Sequence, residues 1–495
     1  MSTSISAGVA DLIHDALDLY ADDPVAVASL RGYATRLSEP LRIAVAGMVK
    51  AGKSTLLNAI IGEEIAPTDT GECTRIVTWY RYGHTSKITL FPIEGEPRIL
   101  PFKRVDGRLV FVLGDSRAED VERLVVEWPS QSLQQITLID TPGIASLSGD
   151  VSARSTDFLT PSDAPSEADA IIYLMRHMHA SDLRFLESFR DTEGGRSGTV
   201  NALAVLSRAD EIGAGRIDSL LSAGDIAERY RRDPSLRKLA LGVVPVAGLL
   251  AQSARTMRQT DFESLRLLSG MDRPARERLL LSADRFVRAT VPEGLDAKAR
   301  ASLLERYGLF GIRLGVVLIR SGFTEPTPLA HELARRSGLD PLLHLVDRQF
   351  QARADALKAR TAMVGLEALL RTAPREGTGQ LAVGLERLQA NAHEFRELRL
   401  LATIRTTGTS LSDELAEEAE RLIGGWGAAP GVRVGLAPDS LPEEILAQAR
   451  GYLKRWRIVA ENPLTDRSAV EVCRVVTRSC EGIVAEFSSL QLQRQ

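Results

Sequence analysis

Short apolar runs alternate with amphipathic helical segments over roughly the first 250 residues of this 495-residue chain. Four runs are almost continuously apolar, which is typical of strands buried on both faces of a sheet. The first run begins at Leu41. The other three are Ile136–Ile139, Ala170–Met175 and Thr199–Leu206. Shorter segments predict further strands at Thr74–Tyr82, Lys87–Phe91, Leu109–Leu113, Val121–Trp128 and Gly242–Val246. Strands that alternate with helices predict an α/β doubly wound sheet, with ligands bound beyond the carboxyl ends of its strands.

After about residue 250 the helical period continues almost without interruption. Short helices are predicted at Arg255–Leu268, Arg273–Arg288, Ala297–Tyr307, Gly311–Arg320 and Pro328–Arg336. Longer helices are predicted at Leu339–Arg371, Gln380–Arg405, Ser410–Ile423, Ser440–Ala460 and Leu464–Leu490. Helices of up to about 33 residues suit an elongated antiparallel all-α bundle.

Two further helices, Ala7–Tyr20 and Pro24–Leu37, precede the first strand and must pack outside the sheet. We therefore expect three parts. Residues 1–38 are N-terminal helices packed on the bundle, residues 39–338 are the α/β domain, and residues 339–495 are the helical bundle.

The junction between the first strand and the next helix, Gly47–Ser54, fits all eight positions of the P-loop pattern G-x-x-x-x-G-K-[ST]. Its glycines let successive N–H groups point at a phosphate, and the helix adds its positive N-terminal dipole. Lys53 would reach the β- and γ-phosphates, and Ser54 would ligate Mg²⁺. The expected phosphate contacts are Gly47, Lys50, Ala51, Gly52, Lys53, Ser54 and Thr55. A chance glycine-rich turn is the competing interpretation, but the chain has only 8 lysines against 53 arginines, so a lysine at position 53 indicates a site requirement.

A second phosphate motif, Asp140–Gly143, follows the predicted strand Ile136–Ile139. Asp140 stands where an acidic residue would hold Mg²⁺ through a water molecule. The N–H of Gly143 could meet the γ-phosphate. Together with the base motif described below, these make three motifs in the order of a nucleotide-binding domain. Three in order indicate such a domain more strongly than any one of them.

A candidate base-binding motif, Ser207–Asp210, stands where GTPases carry Asn-Lys-x-Asp. Asp210 would accept hydrogen bonds from N1–H and the exocyclic amine of guanine, while the stem of Arg208 would lie along the base. This match is the weakest of the three because Ser207 lacks the amide of asparagine, and a plain strand end is the alternative interpretation. Ala247, just after the last predicted strand, completes the expected nucleotide-binding set.

Composition narrows the function class. The net charge is −4 and the pI about 6.1, so no basic field favours nucleic acid as a partner. Three scattered cysteines suit neither a disulfide framework nor a metal site, and a reducing cytoplasm is expected. The N-terminus lacks the pattern of a signal peptide. The longest apolar run, Leu309–Ile319, is well short of the ~20 residues that span a bilayer, so any membrane contact should be peripheral.

The motifs together resemble the bacterial dynamin-like GTPases, and among them the mycobacterial isoniazid-inducible group, most of all its shorter member. The resemblance covers the α/β domain by motif and the helical remainder by architecture alone. It implies hydrolysis of GTP to GDP and phosphate with Mg²⁺ as cofactor. It further implies peripheral action on the inner face of the plasma membrane, in remodelling or maintenance, with self-association or a paralogous dynamin-like GTPase as partner.

The resemblance also assigns residues. Thr74 takes the place of the switch threonine that ligates Mg²⁺ and helps to hold the attacking water, with a plain strand threonine as the alternative. Ile144 follows Gly143 where Ras-like proteins have a water-orienting glutamine, an absence shared with dynamins. Lys50 departs from the serine of dynamins and could supply catalytic positive charge, or could be a solvated lysine that contributes only its backbone. The implied catalytic set is Lys50, Lys53, Ser54 and Thr74.

The segment Gly424–Pro438 sets Trp426 and aliphatic residues beside an arginine, a composition typical of a membrane interface. Antiparallel alternation instead predicts that this segment lies near the α/β domain, with Ala373–Thr378 at the far end. A hinge at Thr406–Thr409 would let the second half of the bundle reverse, so that Gly424–Pro438 becomes a tip. The plainer interpretation is that this segment is a flexible connector with Trp426 packed on the bundle. Trp426 is our candidate membrane contact.

Two other functions stay open at this point. A partner subunit that regulates a paralogous GTPase needs the same domain and bundle, so the sequence cannot separate it from a remodelling enzyme. A GTPase that binds ribosomes or RNA usually carries a basic appended domain, which the acidic pI argues against.

Overall fold

The computed structural model describes residues 5–67, 75–143, 159, 166–191, 201–290 and 292–492. Within these residues, nine strands form one mixed sheet in the order β11-β10-β9-β1-β8-β2-β7-β3-β4, and β5 pairs with β6 in a separate hairpin. The strands are β1 Leu41–Gly47, β2 Thr78–Tyr82, β3 Lys87–Pro92, β4 Arg98–Leu100, β5 Phe102–Val105, β6 Arg108–Phe111, β7 Val121–Trp128, β8 Ile136–Asp140, β9 Ala170–Met175, β10 Ala202–Ser207 and β11 Val243–Val246.

The central strand β1 pairs in parallel with β8 on one side and β9 on the other. The parallel order continues through β10 to β11, while β2 joins β8 in antiparallel orientation. Five strands therefore end at the same edge of the sheet, where ligands of such folds bind. Alternate side chains of β1 enter different cores, with Ile43 and Val45 on one face and Ala44 and Ala46 on the other.

Twenty α-helices lie within the described residues. Those of the first half are α1 Ile5–Leu19, α2 Pro24–Ser38, α3 Lys53–Ile61, α4 Ala180–Asp191, α5 Ser219–Arg232, α6 Pro234–Arg237, α7 Gly248–Arg255, α8 Gln259–Ser269, α9 Arg273–Leu279, α10 Ala283–Arg288, α11 Ala297–Arg320 and α12 Pro326–Arg336. They continue with α13 Leu339–Gln349, α14 Ala354–Thr372, α15 Thr378–Asn391, α16 His393–Thr406, α17 Asp413–Leu422, α18 Pro430–Arg433, α19 Pro442–Glu461 and α20 Arg467–Leu492. The predicted fold class, an α/β doubly wound domain with an all-α region, is confirmed.

The predicted helix Leu339–Arg371 is wrong as one continuous element. It breaks after Gln349, and a short 3₁₀ turn separates α13 from α14. Gln349 Nε2 donates to the Gly425 carbonyl at 3.0 Å, and Arg353 Nη2 donates to the carbonyls of Ile423 and Gly424 at 3.0 and 2.7 Å. The break lets these two side chains donate to a turn that is distant in the sequence. Helical periodicity does not reveal such a contact.

Other predicted helices also differ from the structure. The expected helix Gln380–Arg405 breaks at Ala392, whose backbone is extended, with ψ 118°. The expected helix Arg255–Leu268 begins later, at Gln259, and Arg255 instead ends the preceding helix α7. The expected helix Arg273–Arg288 forms two shorter ones, because the Ser282 side chain caps a new helix start. The predicted break between Ala297–Tyr307 and Gly311–Arg320 is confirmed within α11, because Gly308 has a non-helical backbone with φ 60° and ψ 173° and kinks the helix there.

The N-terminal helices pack against α14 and α15 through a small core that includes Val9, Ile13, Leu30 and Leu366. At its far end, the Tyr20 hydroxyl donates to the Ala373 carbonyl at 2.7 Å. The later helices return to the α/β domain, where Arg405 of α16 donates to the Ala240 carbonyl at 3.0 Å. The division of the chain at residues 38 and 338 stays a prediction.

Candidate nucleotide-binding site

The loop between β1 and α3 has the backbone that a phosphate cradle needs. Gly47 has φ 149°, and a Cβ there would come within 2.4 Å of the Leu174 carbonyl oxygen, so only glycine fits. Gly52 has φ 96° and precedes the first turn of α3. The N–H groups at the start of α3 therefore face outward at the carboxyl edge of the sheet.

Lys53 folds back over this loop. Its Nζ lies 3.2 Å from the Gly47 carbonyl oxygen and 3.5 Å from that of Met48. Burial lowers the pKa of Lys53, and the nearby Asp140 carboxylate opposes that effect. An ammonium group held by carbonyls alone is available to an anion that enters the loop.

Ser54 and Asp140 meet across the end of β8. The Ser54 Oγ donates to Asp140 Oδ2 at 3.1 Å, whereas Asp140 Oδ1 is buried without a hydrogen-bond partner among the described residues. Burial raises the pKa of Asp140 to about 6, although Lys53 and the Ser54 hydrogen bond act to lower it. A hydroxyl beside a carboxylate with an unsatisfied oxygen is a donor set that suits Mg²⁺.

Gly143 lies directly against the P-loop. A Cβ on Gly143 would come within 2.7 Å of Val49 Cγ2 and 3.0 Å of Val49 Cα. The two phosphate motifs therefore touch, and a larger residue at position 143 would separate them. Thr74, the predicted switch threonine, lies outside the described residues.

The base motif follows β10 and is tied to the P-loop. Arg208 adopts φ 53°, and its Nη2 donates to the Lys50 carbonyl at 2.9 Å while Nη1 donates to Glu211 Oε1 at 2.7 Å. Glu211 also accepts from Arg176 at 2.8 Å. The Lys50 backbone has φ 63°, and its side chain is exposed. This network holds the Arg208 stem across the site.

Asp210 lines a cavity of about 170 Å³ together with Ala51, Gly52, Thr55, Ser207 and Arg208. The carboxyl group is buried, and this burial raises its pKa. The Ser207 hydroxyl donates to the Met175 carbonyl at 3.2 Å. Ala247 is fully buried, and its neighbours Val246 and Gly248 rather than Ala247 itself line the cavity.

Several residues of the site were missed in the sequence. Val49 packs on Gly143, Glu211 orients Arg208, and Leu174, Val205 and Leu249 form apolar walls of the cavity. Glu211 could have been found from its place next to Asp210. The apolar walls carry no sequence signal, because they come from strand ends and helix starts that only the sheet order brings together.

Trp426, the predicted membrane contact, is 51% exposed in the turn that follows α17. Trp426 and its neighbour Gly425 line one cavity with Gly242 and Val243 at the start of β11, so the turn lies beside the α/β domain. That is the position expected from antiparallel alternation. The membrane role of Trp426 stays a prediction.

Comparison with known proteins fits this geometry. The family model described as the dynamin family matches residues 43–207. The isoniazid-induced protein IniC of Mycobacterium tuberculosis (strain ATCC 25618 / H37Rv) is 42% identical over 492 residues, which cover 98% of this chain and 99% of IniC. The chain belongs to the dynamin family. The resemblance to dynamin-like proteins of the isoniazid-inducible type is thus confirmed.

More distant relatives share part of this dynamin-like chain. A bacterial dynamin-like protein of Nostoc punctiforme is 30% identical over 212 residues, 40% of this chain and 28% of that protein. A solved structure of an oligomerised bacterial dynamin pair aligns over 98% of this chain and 74% of that one, with 13% identity and a TM-score of 0.30. That structural alignment is too loose to carry an argument.

Proposed function

We propose that the chain binds GTP with Mg²⁺ and hydrolyses it to GDP and phosphate. The observation that carries this proposal is one cavity lined both by Ala51, Gly52 and Thr55 at the P-loop and by Asp210. A nucleotide that places its phosphates on the loop therefore places its base beside a buried carboxylate. Asp210 can accept from the two donors of guanine, whereas adenine presents an acceptor at N1, so GTP is favoured over ATP.

The predicted phosphate and metal residues have the following roles in this proposal. Lys53 binds the β- and γ-phosphates, and Ser54 and Thr74 would hold Mg²⁺, with Asp140 acting through water. The metal would neutralise charge that develops on the phosphates. The Gly143 N–H would bind the γ-phosphate.

Lys50 is the least constrained of the catalytic candidates. The Arg208 guanidinium fixes its backbone carbonyl, which leaves the exposed side chain to turn toward the phosphates or to stay in solvent. In the first case Lys50 supplies charge in the transition state. In the second case only its backbone contributes.

Lys53→Ala provides a direct test of the nucleotide site. In isothermal titration with Mg²⁺ we expect GTP binding to weaken at least about tenfold, because the variant loses a charge-assisted contact to the phosphates. Arg474→Gln, a change at an exposed arginine of α20, is the matched control and should bind GTP like the parent chain. Equal GTP affinity in the Lys53→Ala variant would contradict the proposal.

We further propose that the protein acts peripherally at a membrane, in remodelling or maintenance, alone or with a paralogous dynamin-like partner. Membership of the dynamin family and the exposed indole of Trp426 support this proposal. Among the described residues, no helix has the length and apolar content to cross a bilayer. A regulatory subunit of a paralogous GTPase is the second candidate, since it would need the same site and helices.

Trp426→Ser tests the membrane contact. We expect weaker co-sedimentation with anionic liposomes, because the indole no longer enters the interface. Trp456, which is fully buried, must be left in place so that the helical core stays intact. If liposome binding persists and the melting temperature falls instead, Trp426 is a packing residue.

A further inference from the structure

A second cavity, of about 580 Å³, lies where the C-terminal helices meet the α/β domain. We call it the arginine cleft, because five arginines and only two glutamates line it: Arg231, Arg232, Arg237, Arg348 and Arg405, with Glu417 and Glu420. It reaches Gly242 and Val243, at the amino end of β11. The candidate nucleotide site lies at the carboxyl ends of the strands, so the two cavities are on opposite edges of the sheet.

The carboxylates around the cleft are fewer than its arginines. Arg231 and Arg232 share Glu228 just outside the lining. Glu420 is shared by Arg405, at 2.7 Å, and Arg237, at 2.6 Å. Arg348 has no carboxylate within ion-pair distance in the part of the chain that the structure describes, and its Nε donates only to the His344 carbonyl, at 3.3 Å. Arg348 is therefore available to an external anion.

A residue that lines the cleft also carries a buried acceptor without a partner among the described residues. Gln349 is 1% exposed and lines the cleft. Its Nε2 donates to the Gly425 carbonyl, but its Oε1 has no hydrogen-bond partner among the described residues. A buried amide oxygen of this kind is costly unless something donates to it.

Trp426 stands at the same cleft with half of its surface exposed. The other three tryptophans, Trp79, Trp128 and Trp456, are buried. An exposed indole beside guanidinium groups offers a flat apolar face to a ring. Cation, acceptor and ring face thus lie in one cavity whose volume suits a small molecule.

We propose that the arginine cleft binds a small phosphate-bearing ligand that also carries a hydrogen-bond donor and a ring. Arg348 binds the phosphate, Gln349 Oε1 accepts from an N–H or O–H group, and Trp426 covers the ring. A nucleoside monophosphate and an inositol phosphate headgroup share this chemistry. The site is independent of the proposed GTP site, and its occupant would contact both the α/β domain and the C-terminal helices.

The test uses the full chain saturated with GDP and Mg²⁺, so that the P-loop is filled. AMP is the soluble probe, and phosphatidylcholine vesicles with and without phosphatidylinositol are the lipid probe. Tryptophan emission reports binding, since Trp426 is the exposed indole, and Trp426→Phe should abolish the signal. Arg348→Gln should weaken binding at least tenfold, whereas Arg474→Gln should not change it.

The outcomes separate the sources of the phosphate. A signal with AMP that depends on Arg348 supports a soluble ligand, and one with phosphatidylinositol vesicles alone supports a headgroup. No signal with either probe, or equal binding by Arg348→Gln, overturns the proposal. If the Arg348→Gln variant has a lowered melting temperature, the Arg348→Lys variant is measured instead. Because lysine keeps the positive charge, its affinity should stay within a few-fold of that of the parent chain. A full loss of binding by Arg348→Lys also overturns the proposal.

Discussion

Two of the places where the helices join the α/β domain differ in how completely they exclude water. At the first, Asp169 is 1% exposed and Arg36 of α2 is 4% exposed. Asp169 Oδ1 accepts from Arg36 and from Thr361 of α14, and Oδ2 accepts from the Arg42 N–H of β1 at 2.9 Å. One buried carboxylate therefore ties two helices to the central strand.

At the second join, Glu420 of α17 is also buried and also shared. It accepts from Arg405 of α16 and from Arg237 of α6, but the Arg237 side chain is 45% exposed and the arginine cleft opens beside it. When a carboxylate loses its contact to an exposed partner, the fold loses less free energy, because water can replace the broken contact. We infer a fixed join at Asp169 and a more adjustable one at Glu420.

Asp169→Asn should give the largest loss of stability. It keeps the shape of the side chain but leaves the buried Arg36 guanidinium without a counter-charge, a change that typically costs about 3 to 5 kcal/mol. Chemical denaturation followed by circular dichroism measures the effect. A loss no greater than that of an exposed pair would show that the first join is not rigid. The exposed pair Arg474–Glu471 of α20 supplies that reference through Glu471→Gln, which should cost about 0.5 kcal/mol or less.

Glu420→Gln should cost less, about 1 to 3 kcal/mol, because Arg405 keeps the carbonyls of Ala240 and Gly425 as acceptors. Burial acts to raise the pKa of Glu420, but Arg405 and Arg237 outweigh it and hold the pKa below the ordinary value of 4.5. A lowered carboxyl pKa stabilises the fold fully above about pH 4.5 and loses that contribution as pH falls further.

The parent chain and the Glu420→Gln variant should therefore differ in melting temperature at pH 7 and converge in acid. A difference that persists unchanged to about pH 3 would mean that the charge of Glu420 does not stabilise the join. The same outcome would remove the electrostatic distinction between the two joins.

The sequence predicts the α/β domain well because its signals are local. The strands β7 and β9 have the predicted bounds, and the P-loop residues from Gly47 to Ser54 lie at the predicted strand-to-helix turn. Apolar runs and glycine positions carry this information within a few residues. The short strands β4 and β5 were not predicted.

The helical region was less predictable because its breaks depend on distant contacts. The periodicity of Leu339–Arg371 gives no sign that Gln349 and Arg353 will bind a turn at least 70 residues away along the chain. The partners of Asp169 and Glu420 are likewise set by tertiary packing, as is the arginine cleft. In the candidate site the polar residues were predicted, whereas the apolar walls of the base cavity were not.

Phosphate release tests most directly the proposed GTP hydrolysis by this dynamin-like chain, with Asp210 proposed to read the base. Phosphate release from GTP and ATP should be measured over a range of protein concentrations with Mg²⁺, for the parent chain and for Asp210→Ala. We predict slow Mg²⁺-dependent GTP turnover that rises with protein concentration, ATP turnover at least about tenfold weaker, and loss of that preference in Asp210→Ala. Equal turnover of GTP and ATP by the parent chain, or no turnover of either at any concentration, would contradict the account.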